Sequence, residues 1–444
     1  MTASAPATPA TPASPTASSS PTASSSSIEA FVEEASAFLD EHATRRPTGT
    51  ARVVWGEGED RISYFGDEPP EVDKAKVDAA RAWQRTRHEH GFGWITGPTE
   101  YGGRALSPLH DLVYDQLEAG YDVPDTGVIS LIGLGMIGPT ILAHAREEIK
   151  QRYLPAMFRG DAIACQLFSE PGAGSDLANV ATRAVRDGEE WVLNGQKVWT
   201  SVAHHAELGM AVCRSDPSQP KHRGITAFLV DMSLPGVEVR PLRQMTGGAE
   251  FNEVFLTDVR VPDDHRLGEV DDGWRVTMTT LMSERASVGG EGAGPVERAV
   301  SRSYLTAMLE AMGLSRDAAA RRRLAEVLAD LTATGYLNQQ SLRTLLDGRA
   351  PGPEASASKL MFSHNLAAAS HLAAEMVGPR MIAETGDWGT FSWNELLLGT
   401  PALRILGGTE EIMKNIIGER VLGLPKEPGT DTKAPFRAPT GEQS

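Results

Sequence analysis

Cysteine is almost absent from this chain: Cys165 and Cys213 are the two thiols among 444 residues, each set in an apolar run. Such positions read as buried thiols in a reducing compartment rather than as a disulfide or a metal site. Basic charge is also short, with Lys+Arg 42 against Asp+Glu 59 and a net charge of -17. A nucleic-acid groove needs a basic stripe along the phosphate path, so the balance argues against that class and for an acidic soluble protein. No metal-ligand spacing stands out. The pair His204-His205 is adjacent in sequence, and neighbours on a helix or strand point apart, so both are expected to be solvated loop residues.

Residues 1–27 carry no charge and consist almost wholly of Ala, Ser, Thr and Pro. They cannot bury enough apolar surface to repay the entropy of ordering, so a disordered tail is expected. The tail has neither the basic start and apolar core of a secretory signal nor the arginines of a mitochondrial transit peptide, so a cytoplasmic location is expected. Long apolar runs are scarce too. Thr126–Ala145 is uncharged and long enough to raise a membrane span, but Gly127, Gly133, Gly135, Gly138 and Pro139 interrupt it; buried helices meeting at a kink are expected instead.

What the chain does contain is a change of period, and then a change back. Length alone suggests about three domains. Ser26 and Glu29 have capping-box spacing ahead of Ile28, Phe31, Val32, Phe38 and Leu39, which share one helical face. Further helical patterns cover Val77–Trp83 and Leu109–Leu117, so residues 28–160 read as an α-helical domain. From 161 to 269 short β-rich runs alternate with turn dipeptides. Arg183–Arg186, Trp191–Leu193 and Gln196–Thr200 read as strands joined by turns at Asp187-Gly188 and Asn194-Gly195. Leu208–Cys213, Ile225–Asp231, Val237–Arg240 and Asn252–Val261 follow, for a β-barrel or sandwich. Helical periodicity returns over 270–424, with helices at 273–289, 295–312, 317–346, 354–377 and 409–422 and a loop at 346–353: a four-helix bundle plus a terminal helix. The last segment, 425–444, reads as a loose tail. The fold class is α+β multi-domain, in the order α, β, α.

The densest cluster of glycine, hydroxyl and aromatic positions is Phe168-Ser169-Glu170-Pro171-Gly172-Ala173-Gly174-Ser175-Asp176, continued by Asn194-Gly195-Gln196-Lys197-Val198-Trp199-Thr200-Ser201. Bare glycine backbone lets N–H groups approach an anion or a planar heterocycle, which suggests a cofactor bay. With these segments entering the β-domain, the chain resembles the acyl-CoA dehydrogenase family of flavoenzymes. Further matching pieces are Pro98–Gly103, Glu147–Pro155, Phe251-Asn252-Glu253-Val254, Asp258–Pro262 and Gly408-Thr409-Glu410-Glu411-Ile412.

The resemblance implies FAD between the β-domain and the C-terminal bundle. Phe168 and Ser169 match the segment lining the flavin ring, Ser175 a residue near the phosphates, Trp199 the aromatic beside the isoalloxazine, and Ser201 a hydroxyl near flavin N5. Gly378 and Thr409 match contacts to the pyrophosphate or ribityl chain. Glu375 stands where a neutral amide is frequent, and Arg302-Ser303-Tyr304-Leu305 lacks the family's Phe-Gly, so that intersubunit contact is not carried over. It further implies an acyl-CoA substrate, an electron-transfer flavoprotein as acceptor, and a homodimer or homotetramer, with a hetero-oligomer as the alternative.

One departure bears on chemistry. Many relatives carry the catalytic glutamate where this chain has Gly407, which keeps only a backbone N–H for the thioester carbonyl. Some place it on the first bundle helix, at the position of Glu284 in Glu284-Arg285. Trp274, Thr277, Leu281, Glu284 and Val288 recur at helical steps, so Glu284 would share an apolar face. It reads as the base of an α,β-dehydrogenation, or else as a rim residue paired with Arg285 or another cation. A base there is compatible with branched, long or ring-bearing acyl groups. The other readings are a non-catalytic partner subunit, and a flavin monooxygenase or oxidase on the same fold.

Overall fold

The computed structural model describes residues 27–46, 53–58, 60–63, 66–287, 295–346, 352–426 and 434–436. Apart from Ser27, the tail read at 1–27 lies outside the described residues, as do most of the loop read at 346–353, Val288 and the side chain of Arg285.

Three helices open the chain, α1 (Ile28–His42), α2 (Pro70–Glu89) and α3 (Pro108–Glu118), with a short strand pair, β1 (Thr44–Arg45) and β2 (Tyr121–Asp122). The cap of α1 is Ser27 rather than Ser26: its backbone is extended and its hydroxyl accepts the Ala30 N–H at 3.2 Å. Prolines begin α2 and α3, where a missing N–H costs no helical bond. Phe31, Phe38, Leu39, Trp83, Phe92 and Tyr114 bury one another between them.

The run read as two helices meeting at a kink is one continuous helix. It passes through α4 (Gly127–Ile129), a π-helical stretch over Ser130–Ile137, and α5 (Gly138–His144). The wider π turns give Pro139 room that an α-helix would deny it. Among the described residues this is the one helix long and apolar enough to cross a bilayer, and 39% of it is buried inside the protein. Helix α6 (Glu147–Phe158) follows, its Phe158 stacked on Trp94 with ring centroids 3.7 Å apart.

The middle domain contains β3 (Ala164–Leu167), β4 (Arg183–Asp187), β5 (Glu190–Ser201), β6 (Leu208–Arg214), β7 (Ile225–Asp231), β8 (Val237–Leu242), β9 (Phe251–Pro262) and β10 (Arg266–Leu267). They form one eight-stranded sheet in the order β10-β7-β6-β4-β5-β9-β8, with β3 parallel to β6. A single pair, Arg183 with Arg214, joins β4 to β6. The sheet folds over at that seam, so Leu167 and Phe228 from one half share a core with Trp191 and Val254 from the other.

Asn194-Gly195 is not a hairpin turn. The two strands read on either side of it are the single strand β5, and the irregularity is a bulge against β9. Asp258 on β9 takes the positive φ, 51°, that the turn reading assigned to Asn-Gly. The two residues interlock: Asn194 Nδ2 donates to Asp258 Oδ1 at 3.0 Å, and the Asp258 backbone N–H donates to Asn194 Oδ1 at 2.9 Å. Gly195 is required because a Cβ there would lie 2.7 Å from the Thr182 backbone.

The C-terminal domain comprises α7 (Gly273–Ser287), α8 (Pro295–Ala299), α9 (Arg302–Ala311), α10 (Ala318–Leu346), α11 (Ala355–Val377), α12 (Ser392–Leu403) and α13 (Glu410–Ile416), the last continued by π turns to Val421. The helix read over 295–312 is two helices, because Ser301 turns extended and caps α9 through the Tyr304 N–H. Helix α12 went unread: Gly399 and Pro401 look like punctuation, yet burial of Trp393 and Leu396 holds it helical. Of the tail read as loose, 427–433 and 437–444 lie outside the described residues; Phe436 is buried against the middle domain, its N–H donates to Gln219 O at 2.8 Å, and the Arg214 guanidinium lies 4.0 Å from its ring.

Candidate active site

The Phe168–Asp176 loop is held by one buried ion pair. Lys197, on β5, has a fully buried side chain whose Nζ donates to Phe168 O at 3.0 Å, Val212 O at 2.7 Å and Glu170 Oε1 at 2.7 Å. Glu170 also accepts the N–H groups of Ala181 and Thr182 at 2.6 and 2.9 Å. Burial alone would raise the Glu170 carboxyl; Lys197 and these N–H donors outweigh it and hold it below the usual range. Reciprocal backbone bonds between Glu170 and Ala173, both 3.0 Å, close the turn, and Val198 N–H donates to Ser169 O at 2.9 Å. Gly172, Gly174, Ser175 and Asp176 are left exposed, with open space where a Gly174 Cβ would stand.

Trp199 is not β-domain core. A second bulge between Lys197 and Thr200 gives it a φ of 59°, and its ring stands 61% exposed, edge-on to Phe251 at 6.1 Å. A left-handed tryptophan costs about 1–2 kcal/mol, and such strain concentrates at functional positions. Thr200 turns inward, and Ser201 is half-buried at the strand end.

The histidines that follow are on a turn as expected, His204 exposed and His205 half-buried, but their rings come together. A turn with Val202 at φ 55° brings their ring centroids to 4.0 Å, and His205 Nε2 lies 2.7 Å from Asp73 Oδ2 on α2. The ligand atoms of Asp73, His204 and His205 lie within 4.8 Å of one another. Asn252 Nδ2 lies 3.1 Å from His204 Nδ1 and also reaches the carbonyls of Thr200 and Glu250.

The second half of the site lies in the bundle. Glu284 is half-buried on α7, one turn beyond Leu281, which packs on the cluster containing Phe168. Gly407 has φ +65°, and a Cβ there would sit 3.3 Å from Glu284 Oε1. The carboxylate on α7 therefore reaches the space that a side chain at 407 would enter. The same point lies 3.8 Å from Lys359 Cε. Lys359, 2% exposed on α11, donates to Leu403 O at 3.2 Å and Gly408 O at 2.7 Å. Thr409 caps α13 through the Ile412 N–H, and the next residue, buried Glu410, accepts both arms of Arg404 at 2.7 and 2.8 Å and lies 3.2 Å from His364. Arg404 holds the Glu410 carboxyl down at about 2, against some opposition from burial, with help from His364.

Gly378 stands elsewhere. It ends α11 at φ +62°, nineteen residues past Lys359, or about 28 Å along the helix axis. It does not share the Glu284–Gly407 site within one chain. Glu375 pairs with Arg323 at 3.3 Å on the helix surface. The sequence reading overlooked both buried lysines, although Lys359 falls in step with buried Ser363, Leu366 and Ala369, where a surface lysine would not.

An exposed, strained tryptophan and bare glycines beside a clamped loop suit a planar ring with a phosphate tail, so these residues fit FAD. Comparison with known proteins agrees. The acyl-CoA dehydrogenase N-terminal, middle and C-terminal domain models match residues 66–161, 165–259 and 271–422. The chain belongs to the acyl-CoA dehydrogenase family; it is an FAD-dependent enzyme of that class. It is 38% identical over 364 residues to acyl-CoA dehydrogenase IpdE1 of Mycobacterium tuberculosis, covering 81% of this chain and 91% of that protein. It is 41% identical over 336 residues to acyl-CoA dehydrogenase FadE34 of the same organism, covering 74% of this chain but only 44% of FadE34. The ChsE4-ChsE5 complex from M. tuberculosis superposes with a TM-score of 0.66 at 27% identity, over 91% of this chain and 99% of that one. The family assignment does not favour the oxidase and monooxygenase readings.

Proposed function

We propose that the enzyme dehydrogenates an acyl-CoA between its α and β carbons, with Glu284 as the base. The observation that carries this is the 3.3 Å between Glu284 Oε1 and the Cβ position of Gly407: the carboxylate missing at 407 is supplied to the same space from α7. FAD, when bound, accepts the β hydride. Phe168, Ser169, Trp199 and Ser201 would line its ring, and Ser175 and Thr409 would meet its polar tail.

Glu284 takes the α proton. An acyl chain seated in front of Gly407 would exclude water from the half-buried carboxylate. The Gly407 N–H donates to the thioester carbonyl, which acidifies that proton and steadies charge developing on oxygen. An electron-transfer flavoprotein would be the electron acceptor. ChsE4 and ChsE5 form a complex, which favours testing a hetero-oligomer alongside the homodimer or homotetramer.

A panel of acyl-CoAs under anaerobic conditions tests the reading. Glu284→Gln should keep FAD bound yet lose the bleaching of its visible absorbance; an unchanged rate removes Glu284 from the mechanism.

A further inference from the structure

Buried lysines are costly unless their three protons are used or their charge has a task. Lys359 is fixed by two carbonyls with distinct roles: Leu403 O ends α12, and Gly408 O lies just ahead of the Thr409 cap of α13. One ammonium therefore ties both ends of the segment that presents Gly407. The C-terminal carbonyl of a helix also carries partial negative charge, a favourable seat for a cation. Within that segment Gly407 and Gly408 both have positive φ, +65° and +90°, a path that needs outside support to persist.

The charges around Lys359 come from two other elements: Glu284 on α7, and Glu410 and Glu411 at the start of α13. Glu410 is already matched by Arg404 and His364. Burial pushes the Lys359 ammonium below the ordinary lysine range, while the carboxylates of Glu410, Glu284 and Glu411 pull it back. Lys359 Cε and Glu284 Oε1 both flank the Gly407 Cβ position, at 3.8 and 3.3 Å.

We infer that Lys359 is a positioning residue of this reaction, clamping the 403–408 segment so that Gly407 faces the substrate and adding positive charge beside Glu284; this rests on Glu284 being the base. The charge makes a prediction that the clamp alone does not. Without the cation, Glu284 binds its proton more tightly, so the acid limb of the bleaching rate moves to higher pH.

The test uses the FAD-loaded enzyme and the acyl-CoA that bleaches it fastest. Lys359→Met, which keeps length but not charge, should shift the acid limb upward by about one pH unit, while Lys359→Arg should leave it at the wild-type position. A Lys359→Met profile that superimposes on wild type overturns the inference, as does a Lys359→Arg profile shifted equally far. If neither variant folds while Glu284→Gln does, Lys359 is structural only and the inference falls. Glu284→Gln, run in parallel, separates the two claims: if it still bleaches, the base reading fails whatever Lys359 does.

Discussion

Adding one methyl group at Gly407 probes the site more sharply than deleting the base. Gly407→Ala places a left-handed φ of +65° on a residue with a Cβ, a backbone cost of about 1–2 kcal/mol. It also sets that Cβ 3.3 Å from Glu284 Oε1, tighter than an ordinary contact, so the carboxylate must retreat by a few tenths of an ångström. A misplacement of 1 Å can cost about a hundredfold in rate, so a retreat of this size should slow anaerobic flavin bleaching by about tenfold. Gly313→Ala is the control: its φ is +73° with nothing near its Cβ position, so it carries the same backbone cost far from the chemistry. Melting temperatures should fall alike in the two variants, and only Gly407→Ala should bleach slowly. If Gly407→Ala bleaches at the Gly313→Ala rate, Glu284 does not occupy the space in front of residue 407 during the reaction.

Other outcomes follow from the same geometry. Lys197→Met strands the buried Glu170 carboxylate and should cost about 3–5 kcal/mol in denaturant unfolding, with FAD lost first; a cost below 1 kcal/mol would sink the clamp. Trp199→Ala removes a largely exposed ring, so the apo-protein should keep its stability while FAD binds about tenfold more weakly in a fluorescence titration; equal affinity would remove Trp199 from the cofactor wall. Glu410 has a folded-state carboxyl lowered to about 2 by Arg404. Its contribution is therefore present above the ordinary glutamate range and is lost as pH falls from about 4.5 toward 2. The stability gap between wild type and Glu410→Gln should be flat near neutrality and close on acidification; a gap unchanged at pH 3 would contradict the pairing.

Local signals announced the order α, β, α and most of its elements, because amphipathic periodicity survives whatever packs against it. Signals that depend on a distant partner misled. Asn194-Gly195 has the chemistry of a tight turn, but Asp258, sixty-four positions away, took up the left-handed conformation and let β5 run on. His204 and His205 lie on a turn as their adjacency implied, but their contact with Asp73, more than 130 positions away, had no local signal. The site was half legible. Its motif residues could be read in order, but neither Lys197 nor Lys359 announces burial by residue type, and the approach of Glu284 to Gly407 spans 123 positions and exists only in three dimensions.

Phe436 ties a late stretch of the chain to the middle domain. The bundle is pinned to the middle domain where it begins, with Gly273 so close to Thr226 that a Cβ there would stand 2.7 Å from that residue's backbone. Beyond its far end the chain is pinned again, at Phe436 on Arg214. That guanidinium also grips the carbonyls of Ala178 and Val180, just past the Gly172–Asp176 loop. Arg214 is thus shared between the late Phe436 contact and the backbone that follows the Gly172–Asp176 loop, so a change at either end of that guanidinium would be felt at the other.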